Sequence, residues 1–171
     1  SFVAGAANAG GFLAVQQYTS HMTGIVSEMA DNIALGHFLL ALAGATALIV
    51  FTAGAAVSAY LVNRARVAQL QGVYALPLLL EAALLTVFGL LGARIQTEMA
   101  FYMPVTVLLL CFMMGLQNAI ITKISRAEIR TTHVTGLVTD IGIGMGRLLH
   151  VWQLPHAHPE EEIRADRKSV V

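Results

Sequence analysis

Long apolar runs alternate with short charged connections along this chain. Residues 36–62 and 99–122 contain no Asp, Glu, Lys or Arg, and residues 72–93 contain one, Glu81. Each run is followed within two residues by an Arg or a Lys. A helix that crosses the hydrocarbon core of a bilayer needs about 20 mostly apolar residues. The pattern therefore predicts transmembrane helices over these three runs.

Two further segments are apolar but less regular. Residues 2–15 are rich in Gly and Ala and are short for a membrane span. Residues 134–152 contain Asp140, Arg147 and three alternating glycines, which predicts a short or broken helix that neighbouring protein shields from lipid. Residues 153–171 are polar, and we expect an exposed, disordered tail there. The sequence thus predicts a helical transmembrane domain over residues 1–152.

Composition supports a membrane protein. Hydrophobic residues make up 57% of the chain and charged residues 12%, whereas a soluble domain carries about 25% charged residues. Lys and Arg number 10, as do Asp and Glu, so no basic surface for nucleic acid is expected. The single cysteine excludes an internal disulfide framework. We expect an all-α, polytopic transmembrane helix bundle whose partner is the lipid bilayer and which binds no nucleic acid.

The chain contains an internal repeat. Residues 19–29 read Thr-Ser-His-Met-Thr-Gly-Ile-Val-Ser-Glu-Met, and residues 131–141 read Thr-Thr-His-Val-Thr-Gly-Leu-Val-Thr-Asp-Ile. Upstream, Gly-Ala-Ala-Asn-Ala at 5–9 corresponds to Gly-Leu-Gln-Asn-Ala at 115–119. The two repeat units therefore begin near residues 1 and 111. Repeats of this kind are common in transporters, where short helices meet near the bilayer midplane.

Charge at the ends of the apolar runs predicts the orientation of the units. Cytoplasmic connections carry an excess of Lys and Arg. Arg64 and Arg66 follow the run 36–62, and three cations follow the run 99–122, so both runs are expected to end in the cytoplasm. If residues 23–33 dip into the membrane without crossing it, the two repeat units are inverted. If that segment crosses, the units are parallel. We predict the inverted arrangement.

The repeated motifs resemble those of a known family. Residues 2–12, Ser-His-Met-Thr-Gly at 20–24, residues 115–119 and residues 130–136 are similar to the YoaK family of bacterial multi-pass membrane proteins, a domain of unknown function. The resemblance implies a multi-pass protein of the bacterial inner membrane. The family usually has Asp where this chain has Asn8, which argues against a proton-linked role at that position. The family also continues into two more hydrophobic segments, so we expect a truncated member.

The repeat places His21 opposite His133, and Thr23 opposite Thr135. The functional interpretation is a substrate-binding site in which both imidazoles face one cavity as ligand contacts or proton carriers. The alternative is that each motif caps a short helix whose first amides need partners. A helix N-terminus that faces a cavity also favours an anionic group, so the two interpretations are compatible.

Other polar residues within the apolar segments are candidates as well. An acid at the centre of a membrane helix costs about 2.5–3.5 kcal/mol on insertion scales, which makes Asp140 a candidate for substrate binding, whereas its repeat partner Glu28 fits an interfacial position. Asn8 and Asn118 can contact substrate, although hydrogen bonds between helices are the ordinary explanation for such amides. Glu81 is either a buried, protonated acid bonded to a neighbouring helix or part of a transport pathway.

These patterns favour a transporter or binder of a small solute. An intramembrane enzyme that uses His21, His133 and Asp140 is the alternative, but the chain has no catalytic motif, and we expect no metal and no cofactor. A structural or regulatory membrane protein is a third hypothesis. A homo-oligomer is compatible with each of the three.

Overall fold

The computed structural model describes residues 5–6, 9–10, 19–69, 72–92, 99–124 and 133–152. Across these ranges the fold is all-helical and contains no strand, which confirms the predicted α class. Asn8, most of the apolar segment 2–15 and the tail 153–171 lie outside the described residues. From Thr19 on, the described residues form five helices in the order α1 (Met22–Ala34), α2 (Phe38–Val67), α3 (Ala75–Gly92), α4 (Met99–Ile124) and α5 (His133–Trp152).

Helices α2 and α4 continue past the ends of their apolar runs into charged residues. The run 36–62 becomes the 30-residue helix α2, whose last turn contains Arg64 and Arg66. Similarly, α4 continues through Lys123. Cations near a helix C-terminus interact favourably with its unpaired carbonyl groups. A charge therefore ends the apolar run without ending the helix.

Among the described residues, two helices are long and apolar enough to cross a membrane. They are Phe38–Val67, which is the whole of α2, and Pro104–Ile124, which is most of α4. The predicted span 72–93 forms α3, but its apolar part, Ala75–Leu90, is shorter than these two. Length and composition thus suggest an association with membrane, and they support two of the three predicted spans most directly.

Helix α5 is continuous over 20 residues and differs in this respect from the broken helix that its glycines suggested. A Cβ atom at Gly142 would lie 2.6 Å from the carbonyl oxygen of Thr52, and one at Gly146 would lie 2.1 Å from that of Ala56. At Gly144, nothing lies within 4 Å. Two of the glycines therefore allow α5 to pack closely against the backbone of α2, and they do not interrupt the helix.

Helices α2 and α4 cross at two glycines and run in the same direction. A Cβ atom at Gly54 would lie 2.1 Å from the carbonyl oxygen of Phe112, and one at Gly115 would lie 1.9 Å from that of Phe51. Nearer the C-terminal ends, Lys123 Nζ donates a hydrogen bond to Asn63 Oδ1 at 3.2 Å. From the crossing at the two glycines to this hydrogen bond, the contacts move toward the C-terminal end of both helices, which makes the pair parallel.

Helix α1 folds back along α2 after a tight turn. The turn contains Gly36, whose φ of 77° is in the left-handed region that glycine adopts without strain. Met22, at the start of α1, packs in one buried cluster with Phe51, near the middle of α2, and with Cys111 of α4. The first turn of α1 therefore lies half-way along the bundle, and α1 runs antiparallel to α2.

The two helices that carry the repeated motifs contact each other. Residues 22–29 of the first copy lie in α1, and residues 133–141 of the second copy begin α5. Gly142, Gly146 and His150 of α5 lie beside Thr52, Ala56 and Tyr60 of α2, respectively. Helix α5 is therefore parallel to α2 and antiparallel to α1. Before Thr19 the structure describes only residues 5–6 and 9–10, so inversion of the whole units stays a prediction.

Candidate functional site

A cavity of about 730 Å³ lies between α1, α2 and α4. Its polar lining comes almost wholly from α1 and the residues before it: Thr19, His21, Glu28 and Asn32. The walls from α2 and α4 are apolar apart from Thr46 of α2. A solute in this cavity would therefore make most of its polar contacts along one helix.

His21 forms the N-terminal cap of α1. Its Nδ1 accepts a hydrogen bond from the backbone amide of Gly24 at 3.2 Å, which satisfies one of the free amides of the first turn. A Cβ atom at position 24 would lie 2.7 Å from that nitrogen, so the cap needs glycine there. Because Nδ1 is the acceptor, the neutral imidazole carries its hydrogen on Nε2. The same side chain lines the cavity and can offer Nε2–H as a donor.

Thr19 lies two residues before this cap and is only 2% exposed. Its hydroxyl oxygen is fully buried and has no hydrogen-bond partner among the described residues. A buried hydroxyl without a partner costs about 1–3 kcal/mol relative to a satisfied one. Thr19 also belongs to the cavity lining, but its hydroxyl oxygen is closed off from the cavity space.

The electrostatic character of the cavity changes along α1. The end at the α1 N-terminus has the Nε2–H of His21 and the positive end of the helix dipole. Glu28 lines the cavity seven residues after His21, which corresponds to about 10 Å along a helix axis. The end at His21 therefore favours an anion or an acceptor, and the end at Glu28 favours a cation.

Among those of the seven residues expected to bind substrate whose side chains the structure describes, His21 lines this cavity. Thr23 and Thr135 each have a buried hydroxyl oxygen without a hydrogen-bond partner among the described residues. Their backbone carbonyls accept hydrogen bonds from equivalent repeat positions, Ser27 and Thr139. The two motifs thus share local geometry in detail, although neither threonine belongs to the cavity lining.

The remaining candidates occupy other places. Asn118 is half-buried, and its amide donates to the carbonyl oxygen of Met114 at 2.8 Å within α4. Asp140 is half-buried in α5 and has an interaction partner of its own. His133 is the first residue of α5, but its side chain is outside the described part of the chain, as is all of Asn8. Their proposed contacts with substrate stay predictions.

Three polar residues of the cavity, all in α1 or just before it, were not predicted to bind substrate. Thr19 begins the first repeat motif, so the repeat itself carried a usable signal. Glu28 was assigned to the interface on sequence grounds. Asn32 has no distinguishing sequence pattern, and only the helical spacing of α1 brings it to the cavity. Within the described ranges, no group of three or more His, Cys, Asp or Glu residues could hold a metal ion.

A second buried polar contact links α3 and α4. Glu81 is 7% exposed and Gln117 is 5% exposed. The side-chain Nε2 of Gln117 donates a hydrogen bond to Glu81 Oε1. The other amide atom, Gln117 Oε1, is buried and has no partner among the described residues.

Comparison with known proteins assigns the family. The sequence matches the family described as "Protein of unknown function (DUF1275)" over residues 1–170. The chain belongs to the DUF1275 family. This is the YoaK-type family that the repeated motifs indicated, so the resemblance seen in the sequence is confirmed. No curated protein and no solved structure matches this DUF1275 chain.

Proposed function

We propose that this DUF1275 protein is a multi-pass protein of the bacterial inner membrane that binds and translocates a small zwitterionic solute. Its outer surface supports the membrane part of the proposal. Leu39, Leu42 and Ile49 on α2 and Leu79 and Leu90 on α3 are 63–80% exposed. Such contiguous apolar surface is rare on soluble monomers, and a lipid environment would cover it at little cost.

The imidazole of His21 carries the solute part of the proposal. It caps the N-terminus of α1 and lines a cavity large enough for a small organic molecule. Donors at a helix N-terminus favour a carboxylate or phosphate group. Glu28 adds a negative charge farther along the same wall, which disfavours simple anions and favours a solute with a cationic group at its other end.

The arrangement of the repeat supports translocation. Helix α1 begins half-way along the bundle, next to Phe51 and Cys111, and it runs opposite to α5, which carries the matching motif. In many transporters, half-helices from inverted repeats present their N-termini to a substrate near the midplane. An inverted repeat would let the bundle open alternately to each side around one site.

A matched set of three ligands tests the solute class. The purified full-length chain, in detergent micelles, is titrated with 6-aminohexanoate, hexanoate and hexylamine, and binding is measured by isothermal titration calorimetry. These compounds share one chain length and differ only in their end groups. We expect the zwitterion to bind more tightly than either singly charged compound. Equal affinity for all three, or no binding of any, would contradict the zwitterionic site.

Two variants test the location of the site. His21→Asp keeps a capping acceptor at the start of α1 but has no donor for the cavity, and Thr23→Val removes a buried, unpartnered hydroxyl outside the cavity. A hydrogen bond to a charged group contributes about 1.5–3 kcal/mol, so His21→Asp should weaken binding of 6-aminohexanoate by roughly tenfold or more, while Thr23→Val should leave it unchanged. The opposite order would move the site to the Thr-Gly motif itself. Flux of the labelled compound into proteoliposomes then tests translocation.

A further inference from the structure

The polar groups that α1 presents to the cavity lie in one row. His21, Glu28 and Asn32 all line the cavity, at spacings of seven and four residues. Residues at such spacings lie one above the other on the same face of a helix. One end of the row therefore has the Nε2–H of His21, and the other end has Glu28 and Asn32 together.

The wall between these two ends is apolar. Ile25 lies between them along α1 and lines the cavity. A Cβ atom at Gly44 of α2 would lie 3.5 Å from Cγ2 of Ile25, so α2 faces this middle segment of α1. The hydroxyl of Thr46 on the α2 wall donates within its own helix, to the carbonyl oxygen of Leu42 at 2.9 Å. A methylene chain therefore fits between the two ends better than a polar one.

Helix geometry sets the distance that a solute must span between the two ends. The seven residues from His21 to Glu28 correspond to about 10 Å along a helix axis. Each hydrogen bond takes up about 2.9 Å, so the charged atoms of the solute lie roughly 5 Å apart if both bonds point along the axis, and about 10 Å apart if both point across it. In an α-amino acid, both charged groups are attached to one carbon atom. Such a solute reaches only one end of the row.

Glu28 and Asn32 are one helical turn apart and offer two oxygen acceptors. The carboxylate of Glu28 accepts hydrogen bonds, and the side-chain amide of Asn32 has a carbonyl oxygen. A primary ammonium group has three N–H donors and can use both acceptors at once. Asp31, the other acid of α1, is exposed and does not belong to the cavity lining. Of the two acids of α1, Glu28 is therefore the one that faces a solute.

We propose that the cavity selects ω-amino carboxylates, in which a chain of methylene groups separates a primary ammonium group from a carboxylate. The carboxylate accepts a hydrogen bond from His21 Nε2, the methylene chain lies against Ile25 and the α2 wall, and the ammonium group donates to Glu28 and Asn32. This selectivity rests on the proposed function and narrows its zwitterionic solutes to those with widely separated charges.

A pair of isomers tests the charge separation. 6-Aminohexanoate and 2-aminohexanoate have the same atoms and the same two charged groups, and they differ in the distance between those groups. Each is titrated into the full-length chain in detergent micelles, and binding is measured by isothermal titration calorimetry. One hydrogen bond to a charged group changes an affinity by roughly tenfold or more, so we expect 6-aminohexanoate to bind at least tenfold more tightly.

The isomers and the proposed function fail on different results. Equal affinity for the two isomers would overturn the selection by charge separation, while a preference for both over hexanoate and hexylamine would still support a zwitterionic site. Failure of either isomer to bind more tightly than hexanoate and hexylamine would contradict the proposed function as well.

Three variants of α1 test the ammonium end. Glu28→Gln removes the charge that faces the solute and keeps an acceptor, so it should weaken binding of 6-aminohexanoate by roughly tenfold without weakening that of hexanoate. The control Asp31→Asn removes the same charge outside the cavity lining and should change neither affinity. Asn32→Asp places a carboxylate where an amide accepts, and it should tighten binding of 6-aminohexanoate. Weaker binding by Asn32→Asp, or equal effects of Glu28→Gln and Asp31→Asn, would overturn the assignment of the ammonium group to this end.

Discussion

Two glycines in α5 that are two positions apart should respond oppositely to the same substitution. A Cβ atom at Gly146 would lie 2.1 Å from the carbonyl oxygen of Ala56 and 2.9 Å from the Cβ of Ala59. A Cβ atom at Gly144 would meet nothing within 4 Å. Replacement by alanine changes the intrinsic helix propensity equally at both positions, by about 1 kcal/mol in favour of alanine. The difference between the two variants therefore reports only the packing of α5 on α2.

The size of that difference follows from the geometry. Ordinary contact begins at 3.4 Å, so Gly146→Ala requires α5 and α2 to separate by about 1.3 Å at this point. The nearest atom belongs to the backbone and cannot turn aside, and a gap of about 0.5–1 Å already loses a quarter to a half of the dispersion energy of each contact. Extra carbon atoms in packed interiors cost about 1–3 kcal/mol. We expect Gly146→Ala to be less stable than Gly144→Ala by about this amount.

The measurement is equilibrium unfolding of each variant in detergent micelles, followed by far-ultraviolet circular dichroism. Gly142→Ala provides an intermediate case, because its Cβ would lie 2.6 Å from its nearest neighbours. From the most to the least stable variant, the expected order is Gly144→Ala, Gly142→Ala and Gly146→Ala. Equal midpoints for the three variants would show that α5 does not pack on α2 through these glycines.

Three further predictions follow from the same contacts. Gly115→Ala, where a Cβ would lie 1.9 Å from the carbonyl oxygen of Phe51, should destabilise the protein relative to Gly89→Ala, where nothing lies within 4 Å; unfolding midpoints in detergent measure the difference. Thr19→Val should raise the stability of the ligand-free protein by about 1 kcal/mol in the same assay, because it removes a buried hydroxyl without a partner. The sole cysteine, Cys111, is fully buried and should react with a small thiol reagent far more slowly in the folded protein than after unfolding, as measured by mass spectrometry; equal rates would contradict its place in the core.

Local sequence was sufficient to predict the helices. Residues 36–62, 72–93 and 99–122 each form one helix in the structure, because an apolar run of that length satisfies its backbone hydrogen bonds best within itself. The internal repeat was also a property of the sequence alone, and it identified Thr23 and Thr135 as equivalent positions before their shared hydrogen-bond pattern was seen. The family assignment followed from the same motifs.

The tertiary structure decided how the glycines and polar residues are used. Gly142 and Gly146 suggested a broken helix on sequence grounds. In the structure, the backbone of α2 occupies the space that side chains at these two positions would need. The selection of Thr19 and Asn32 as cavity residues depended on where α1 begins along α2, and the partner of Glu81 depended on the packing of α3 on α4. Pairing between helices is set by surfaces that are distant in sequence, and no local pattern encodes which surfaces meet.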